Sequence, residues 1–225
     1  MIKRFLLILL VGFFSFEKAG NETVIPAESS NNIYSALHLE RLGLSPEALR
    51  LAIKGFEKLL AKGKLQNDSI LTIIDFSQSS KNKRLYVLDV RNKALLFNTY
   101  VAHGQNSGEE YAEKFSNKTG TLMSSLGFYI TRNIRQSTNV GLALVLEGLE
   151  KGFNDQAAAR DIIMHGAWYS TETFIRYQGR LGRSHGCPAV PPNMIKPLSE
   201  TIKDGSCLFI YSPDKDYLSK SKIIN

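Results

Sequence analysis

Two stretches of the chain combine residue types that do chemistry together. Ile162-Ile-Met-His-Gly-Ala-Trp168 carries a histidine followed by glycine. Gly179-Arg-Leu-Gly-Arg-Ser-His-Gly-Cys-Pro-Ala-Val190 carries Ser184-His185-Gly186-Cys187 in a glycine-rich loop. A cysteine is a nucleophile only as its thiolate, so it needs a base or a cation beside it and some exposure. His165 can be that base if the fold brings it to Cys187, and His185 is a second candidate. Glycines around the His-Cys pair let backbone N–H groups converge on one point, as an oxyanion hole for acyl transfer requires. Pro188 fixes the chain just after the thiol.

Two other chemistries use the same residues. Cys187 and Cys207 are the only cysteines, and in an exported protein they could form a single disulfide. Cys207 lies in the apolar run Cys207-Leu-Phe-Ile-Tyr211, where a free cysteine behaves as a small core hydrophobe. Cys187 sits in a polar glycine loop, where packing gives it little reason to exist. A metal site could draw on His103, His165, His185 and Cys187, but no His-x-x-x-His or Cys-x-x-Cys spacing supports it. Two cysteines also exclude a disulfide scaffold and a four-thiolate zinc ribbon.

The elements that must position these residues are mostly strands. Ile70–Phe76, Arg84–Val90, Ala94–Ala102, Leu126–Thr131, Gly141–Leu146, Ile162–Met164 and Cys207–Tyr211 are β-branched and aromatic segments of strand length, separated by polar turns. Helical segments are few there: Asp155–Arg160, with Asn154 at its start, Glu172–Tyr177 and Asn193–Ile202. This pattern predicts a mainly β (α+β) domain over 66–217, a sandwich or barrel-like sheet and not a doubly wound fold. Before it, residues 33–65 read as a helical arm. Ile33–Leu42 is a short helix; a second has Ser45 as N-cap, Pro46 first, Glu47 in the first turn and Gly63 at the end. Leu49, Ile53, Phe56 and Leu60 recur on its core-facing side. Residues 218–225 are expected as a polar tail.

The amino end places the protein. Met1-Ile-Lys-Arg4 is basic, and Phe5–Phe16 is an apolar run too short to span a bilayer comfortably, so residues 1–20 read as a secretory signal or anchor and 21–32 as a linker. Removing residues 1–20 leaves about +5 of the formal +7. The remaining cations are scattered, without the basic stripe a nucleic-acid partner needs.

His165-Gly166 followed by Ser184-His185-Gly186-Cys187 resembles the signature of the L,D-transpeptidase catalytic domain that remodels bacterial peptidoglycan. The similarity extends through Asp75-Phe-Ser77, Val101-Ala-His-Gly104, Ser124-Ser-Leu-Gly-Phe-Tyr129, Leu146-Glu-Gly-Leu-Glu150 and Gly182-Arg-Ser-His-Gly-Cys-Pro-Ala189, and so covers most of residues 35–213. It implies an exported, cofactor-free, monomeric enzyme of the periplasm or cell envelope that acts on peptidoglycan stem peptides. Cys187 would form a thioester, releasing the terminal D-amino acid of a tetrapeptide stem. His165 would be the base, its ring held by a carbonyl such as that of Gly166. Backbone N–H groups of Gly186, Cys187 and His185 would hold the oxyanion. An amine acceptor gives transpeptidation and water gives L,D-carboxypeptidase action; a disulfide-locked, non-catalytic binding module is the third reading.

The pattern departs from the family after the cysteine. Pro188-Ala189 stand where many members have an apolar residue and then Arg or Asn. Arg183, with Arg180 and Arg160 behind it, is therefore expected to supply that contact, and Ser184, Tyr129 and Trp168 are further candidates for touching substrate. The insert from Ala167 to Arg183 is long, and its Trp168, Tyr169, Phe174 and Tyr177 suggest a lid or groove wall. His103-Gly104 repeats the His-Gly pair ahead of the turn Gln105-Asn-Ser-Gly108 and is expected to be a turn histidine.

Overall fold

The computed structural model describes residues 27–225; the expected export signal and most of the linker lie outside the described residues. Helix α1 (Ala27–Ala36) begins and ends earlier than the helix expected over 33–42, so part of the expected linker is helical. Helix α2 (Pro46–Ala61) follows its sequence signals: the Ser45 hydroxyl accepts the Ala48 N–H at 3.3 Å, Pro46 leads and Glu47 sits in the first turn. Its Leu49, Ala52, Ile53 and Phe56 are buried against the sheet. Gly55 allows that approach, because a Cβ there would stand 2.0 Å from Cζ of Phe128. The Ser45 N–H donates to the buried Asp75 carboxylate at 3.0 Å, pinning the arm to the sheet.

Eight strands follow: β1 (Ile70–Asp75), β2 (Leu85–Asp89), β3 (Ala94–Thr99), β4 (Gly127–Ser137), β5 (Gly141–Gly148), β6 (Ile163–Gly166), β7 (Ala189–Val190) and β8 (Cys207–Tyr211). They form one sheet in the order β3-β2-β1-β8-β4-β5-β6-β7. Pairs β1–β8 and β6–β7 are parallel and the rest antiparallel. The strand expected over 94–102 stops at Thr99, because the chain then crosses to the opposite edge. There Ala102 N–H donates to Ala189 O at 2.8 Å and Ala189 N–H to Ala102 O at 3.3 Å, while Gly104 bridges Ser184. The two sheet edges thereby meet, and the sheet is a nearly closed barrel. The expected mainly β fold is what the chain adopts.

Strands β1 and β8 are buried along their whole length. Covered on both faces, they read as continuous apolar runs rather than alternating ones. Phe128 and Phe209 stack at 4.2 Å in the centre of this core. Helices α3 (Glu172–Gln178), α4 (Ile195–Ile202) and α5 (Lys215–Lys220) complete the described chain. Residues 155–160 form turns instead of the expected helix, since Asn154 is buried as a clamp: its Oδ1 accepts Glu150 N–H at 2.8 Å and its Nδ2 donates to Leu126 O and Phe128 O.

The carboxyl end is not a polar tail. Tyr217, Ser221 and Ile224 are buried. The Glu150 carboxylate, whose pKa burial raises, accepts from Tyr217 OH at 2.8 Å, from the Ser221 hydroxyl and from Phe128 N–H at 2.8 Å. Among the described residues no helix is long and apolar enough to cross a membrane.

Candidate active site

Strand pairing brings the two halves of the motif together. His165 ends β6, and its register partner on β7 is Ala189, two residues beyond Cys187. The His165 N–H also donates to Pro188 O at 3.3 Å. Both side chains line one cleft of about 530 Å³, together with His185, Arg160, Arg183 and Tyr169 and with Asn139 and Val140 of the β4–β5 turn.

The Nδ1 atom of His165 lies 3.1 Å from Gly166 O. A carbonyl only accepts, so Nδ1 carries the proton and Nε2 is left as the ring's basic nitrogen. Burial lowers the pKa of this imidazole, and the bond to Gly166 opposes the shift, so the ring is neutral at pH 7. Gly166 itself is closely packed, with Pro192 Cα 3.2 Å from where a Cβ would be.

Cys187 is partly buried and free, as is the fully buried Cys207. No bridge joins them: Cys207 lies within β8, facing Ile130 and Leu71 in register, and the disulfide reading is set aside. The Cys187 thiol points at Asp161 O, 3.5 Å away. Burial raises its pKa, Asp161 adds to that, and the Ile163 N–H, Arg160 and Arg135 oppose it. Both shifts favour the uncharged forms, a thiol and a neutral imidazole.

The loop that carries the thiol is held by serines. Ser184 Oγ accepts the Gly186 N–H at 3.0 Å and donates to Cys187 O at 2.5 Å. Ser124 Oγ donates to Gly186 O at 3.1 Å and accepts the Gly104 N–H at 3.0 Å. Gly186 has φ +121°, and a Cβ on it would stand 2.8 Å from Met123 O, so only glycine fits. Ser184, a candidate for touching substrate, lines the cleft and also staples the loop through its hydroxyl, and the Gly186 N–H, an expected oxyanion donor, is already engaged. Among the described residues the N–H groups of His185 and Cys187 have no backbone or side-chain acceptor, which leaves them free to donate.

The substrate-contact candidates divide. Arg160 and Arg183 line the cleft, but Arg183 is paired with Glu109 at 2.5 Å. Arg160 has no carboxylate partner among the described residues. It donates to Ser116 O and Met123 O, both at 2.6 Å, and to the Ser125 hydroxyl. Tyr129 does not reach the cleft: it is fully buried and its hydroxyl donates to Ser125 O at 3.0 Å. Trp168 is exposed and stands beside the cleft wall, touching Tyr169, which does line it.

His103 is no surface turn histidine. It is fully buried, with Nδ1 2.7 Å from Nη2 of the equally buried Arg84. A guanidinium only donates, so Nδ1 accepts and Nε2–H donates to Gly108 O at 3.3 Å. Burial and the neighbouring cation push its pKa down to about 3. With both nitrogens engaged, His103 cannot join a metal site with His165 and His185. Sequence reasoning missed Arg84, Ser107 and Ser124 as the frame of the site; Ser124 stood inside a quoted motif, but nothing local marked its hydroxyl as pointing at Gly186.

A family model described as the L,D-transpeptidase catalytic domain matches residues 40–211. The chain belongs to that family. Solved structures resembling this L,D-transpeptidase domain include an L,D-transpeptidase from Mycobacterium smegmatis (13% identity, 64% of this chain and 59% of that one, TM-score 0.41). Others are an L,D-transpeptidase from Xylanimonas cellulosilytica (16%, 69% and 68%, 0.36) and the helical cell shape determining protein of Campylobacter jejuni (14%, 72% and 57%, 0.44). The chain thus spans under two thirds of the M. smegmatis chain's length. No curated protein matches it.

Proposed function

We propose that this L,D-transpeptidase-family enzyme uses Cys187 to form a thioester with a peptidoglycan stem tetrapeptide. The observation that carries the reading is the neutral His165, fixed at Nδ1 by Gly166 and sharing a cleft with a free thiol. As the thiol attacks the carbonyl of the third, diaminoacid-like residue, its proton passes to Nε2 of His165 and a C–S bond forms. The negative charge that develops on the carbonyl oxygen is met by the N–H groups of Cys187 and His185. His165 then gives the proton to the departing amine, the C–N bond breaks, and a terminal D-amino acid leaves. An acceptor amine deprotonated by His165 attacks the thioester and regenerates the thiol, giving a cross-link; water in its place gives a shortened stem.

Arg160 supports this chemistry as a cation without a counter-ion at the cleft, where developing negative charge and substrate carboxylates are attracted to it. It is the candidate for the contact that many family members make with an Arg or Asn two residues after the cysteine, where this chain has Ala189. The basic-then-apolar amino end agrees with export to the envelope, where this substrate lies. Purified chain incubated with disaccharide tetrapeptides tests the reading: cross-linked dimers report transfer, shortened monomers report hydrolysis, and Cys187→Ala abolishes both. Full turnover by Cys187→Ala would overturn it.

A further inference from the structure

The insert between the two halves of the motif, residues 167–183, is built in an unusual way. Helix α3 is well ordered by its ends: the Thr171 hydroxyl accepts the Phe174 N–H at 3.2 Å, Gly179 closes it with φ +74°, and Glu172 pairs with Arg176 at 2.7 Å. Yet α3 buries none of its own residues. The insert rests on a small separate cluster of Ala102, Ala167, Leu181 and Ala189, at the seam where the barrel closes. Its outward side carries the two most exposed large apolar residues of the described chain, Trp168 (70%) and Tyr177 (82%). Tryptophan is normally well buried, so a rigidly mounted, exposed one points to a ligand.

The mounting is specific. Trp168 O accepts from the Thr171 hydroxyl at 2.9 Å, and its ring meets Phe174 edge-on at 5.2 Å and Tyr169 at 6.1 Å. Tyr169 is locked in turn by Gly182, where a Cβ would stand 2.5 Å from the tyrosine's own Cβ. Tyr169 lines the thiol cleft. The aromatic surface is thus continuous with the cleft, and the residues that bracket most of the insert, His165 and Arg183, both line it.

Charge narrows what that molecule is. A membrane surface or a nucleic acid needs free cations beside the aromatics. Here Arg176 is paired with Glu172, Arg180 and Arg183 share Glu109, and Lys83 lies over the Tyr100 ring at 5.9 Å; among the described residues no cation stacks on the Trp168 ring. What remains is a flat apolar ring beside a phenol, which suits a neutral, hydroxyl-rich ring with one C–H face: a pyranose. We propose that Trp168 is a stacking platform for a sugar ring of the glycan strand, holding the strand while its stem peptide enters the cleft. The inference rests on the peptidoglycan reading above and adds to it the glycan as a second recognised part of the substrate.

Trp168 is the only tryptophan in the chain, so its fluorescence reports the contact directly. Peptide-free glycan strands titrated into the full chain are expected to shift Trp168 emission saturably. Trp168→Ala is expected to weaken co-sedimentation with the same strands at least tenfold, while Trp168→Phe, which keeps a ring in place, retains most of it. No emission change with glycan, or equal binding by Trp168→Ala, overturns the proposal. So does a change driven instead by anionic phospholipid vesicles or by self-association of the chain at rising concentration. Cys187-dependent turnover of a sugar-free tetrapeptide in the absence of glycan binding would sink the platform alone; glycan binding without any such turnover would sink the acyltransferase reading alone.

Discussion

Two of the chain's three His-Gly dipeptides, His103-Gly104 and His165-Gly166, flank the same short strand. Ala189 of β7 pairs with His165 on one side and with Ala102, next to His103, on the other. Their backbones have matching tasks, since His103 O accepts Ser184 N–H at 2.9 Å and His165 N–H donates to Pro188 O. Their rings have opposite ones. His103 accepts at Nδ1 from Arg84 and donates at Nε2, so no basic nitrogen is left. His165 donates at Nδ1, keeps Nε2 and faces the cleft. Whether a histidine here keeps a free basic nitrogen depends on which of its nitrogens is engaged, a matter of tertiary neighbours and not of the dipeptide.

Substitution should separate the two sharply. His165→Ala is expected to cut kcat by about 10²–10⁴, the usual range for losing a general base, with the melting transition unmoved. His103→Ala should leave the turnover of the folded enzyme largely in place and instead cost about 2–4 kcal/mol of stability in chemical denaturation, because the buried Arg84 guanidinium loses an acceptor. His103→Gln, whose amide oxygen can accept from Arg84, should recover part of that loss. Equal kinetic damage from both alanine variants would erase the distinction.

A smaller effect tests whether the frame is independent of the arm. Gly55→Ala improves intrinsic helix propensity, yet its methyl collides with the Phe128 ring. A net destabilisation of about 1–3 kcal/mol is expected from overpacking, with kcat unchanged, measured by denaturation and single-turnover kinetics.

The pH slopes are gradual rather than abrupt. The folded pKa of His103 is about 3, against 6.5 for the free side chain. Below pH 6.5 the unfolded chain takes up a proton that the folded one refuses, so this stability is present above pH 6.5 and is lost as pH falls towards 3. The slope is up to about 1.4 kcal/mol per pH unit, and His103→Gln should remove it. His165 is also shifted below 6.5, so the acid limb of kcat/KM should fall below that value. Cys187 is shifted above 9.0, so thiol alkylation of the free enzyme should rise with pH through an inflection above 9.

Much of this was legible in the sequence where the information is local. Strand β8 was read at its true ends, the α2 cap came from Ser45-Pro46-Glu47, and the cysteine–histidine pair came from residue types in a glycine loop. What failed depended on distant partners. The break of the third strand at Thr99 is caused by Ala189, ninety positions on. The buried end of the chain is caused by Glu150. Tyr129 is a substrate-contact candidate in sequence whose ring could equally fill the sheet; the first five residues of β4 are all buried, so no alternation marks which face its ring takes. Arg84 and His103 look like ordinary surface residues in sequence, and only the closing of the barrel puts them inside.

In the proposed mechanism Cys187, served by His165, carries the acyl group. Intact and peptide-mapped mass spectrometry of the protein during turnover of a tetrapeptide substrate measures this directly. An adduct equal to the stem without its terminal D-amino acid is expected on Cys187, absent from Cys187→Ala and slow to form in His165→Ala. Products released at the wild-type rate by Cys187→Ala would contradict it.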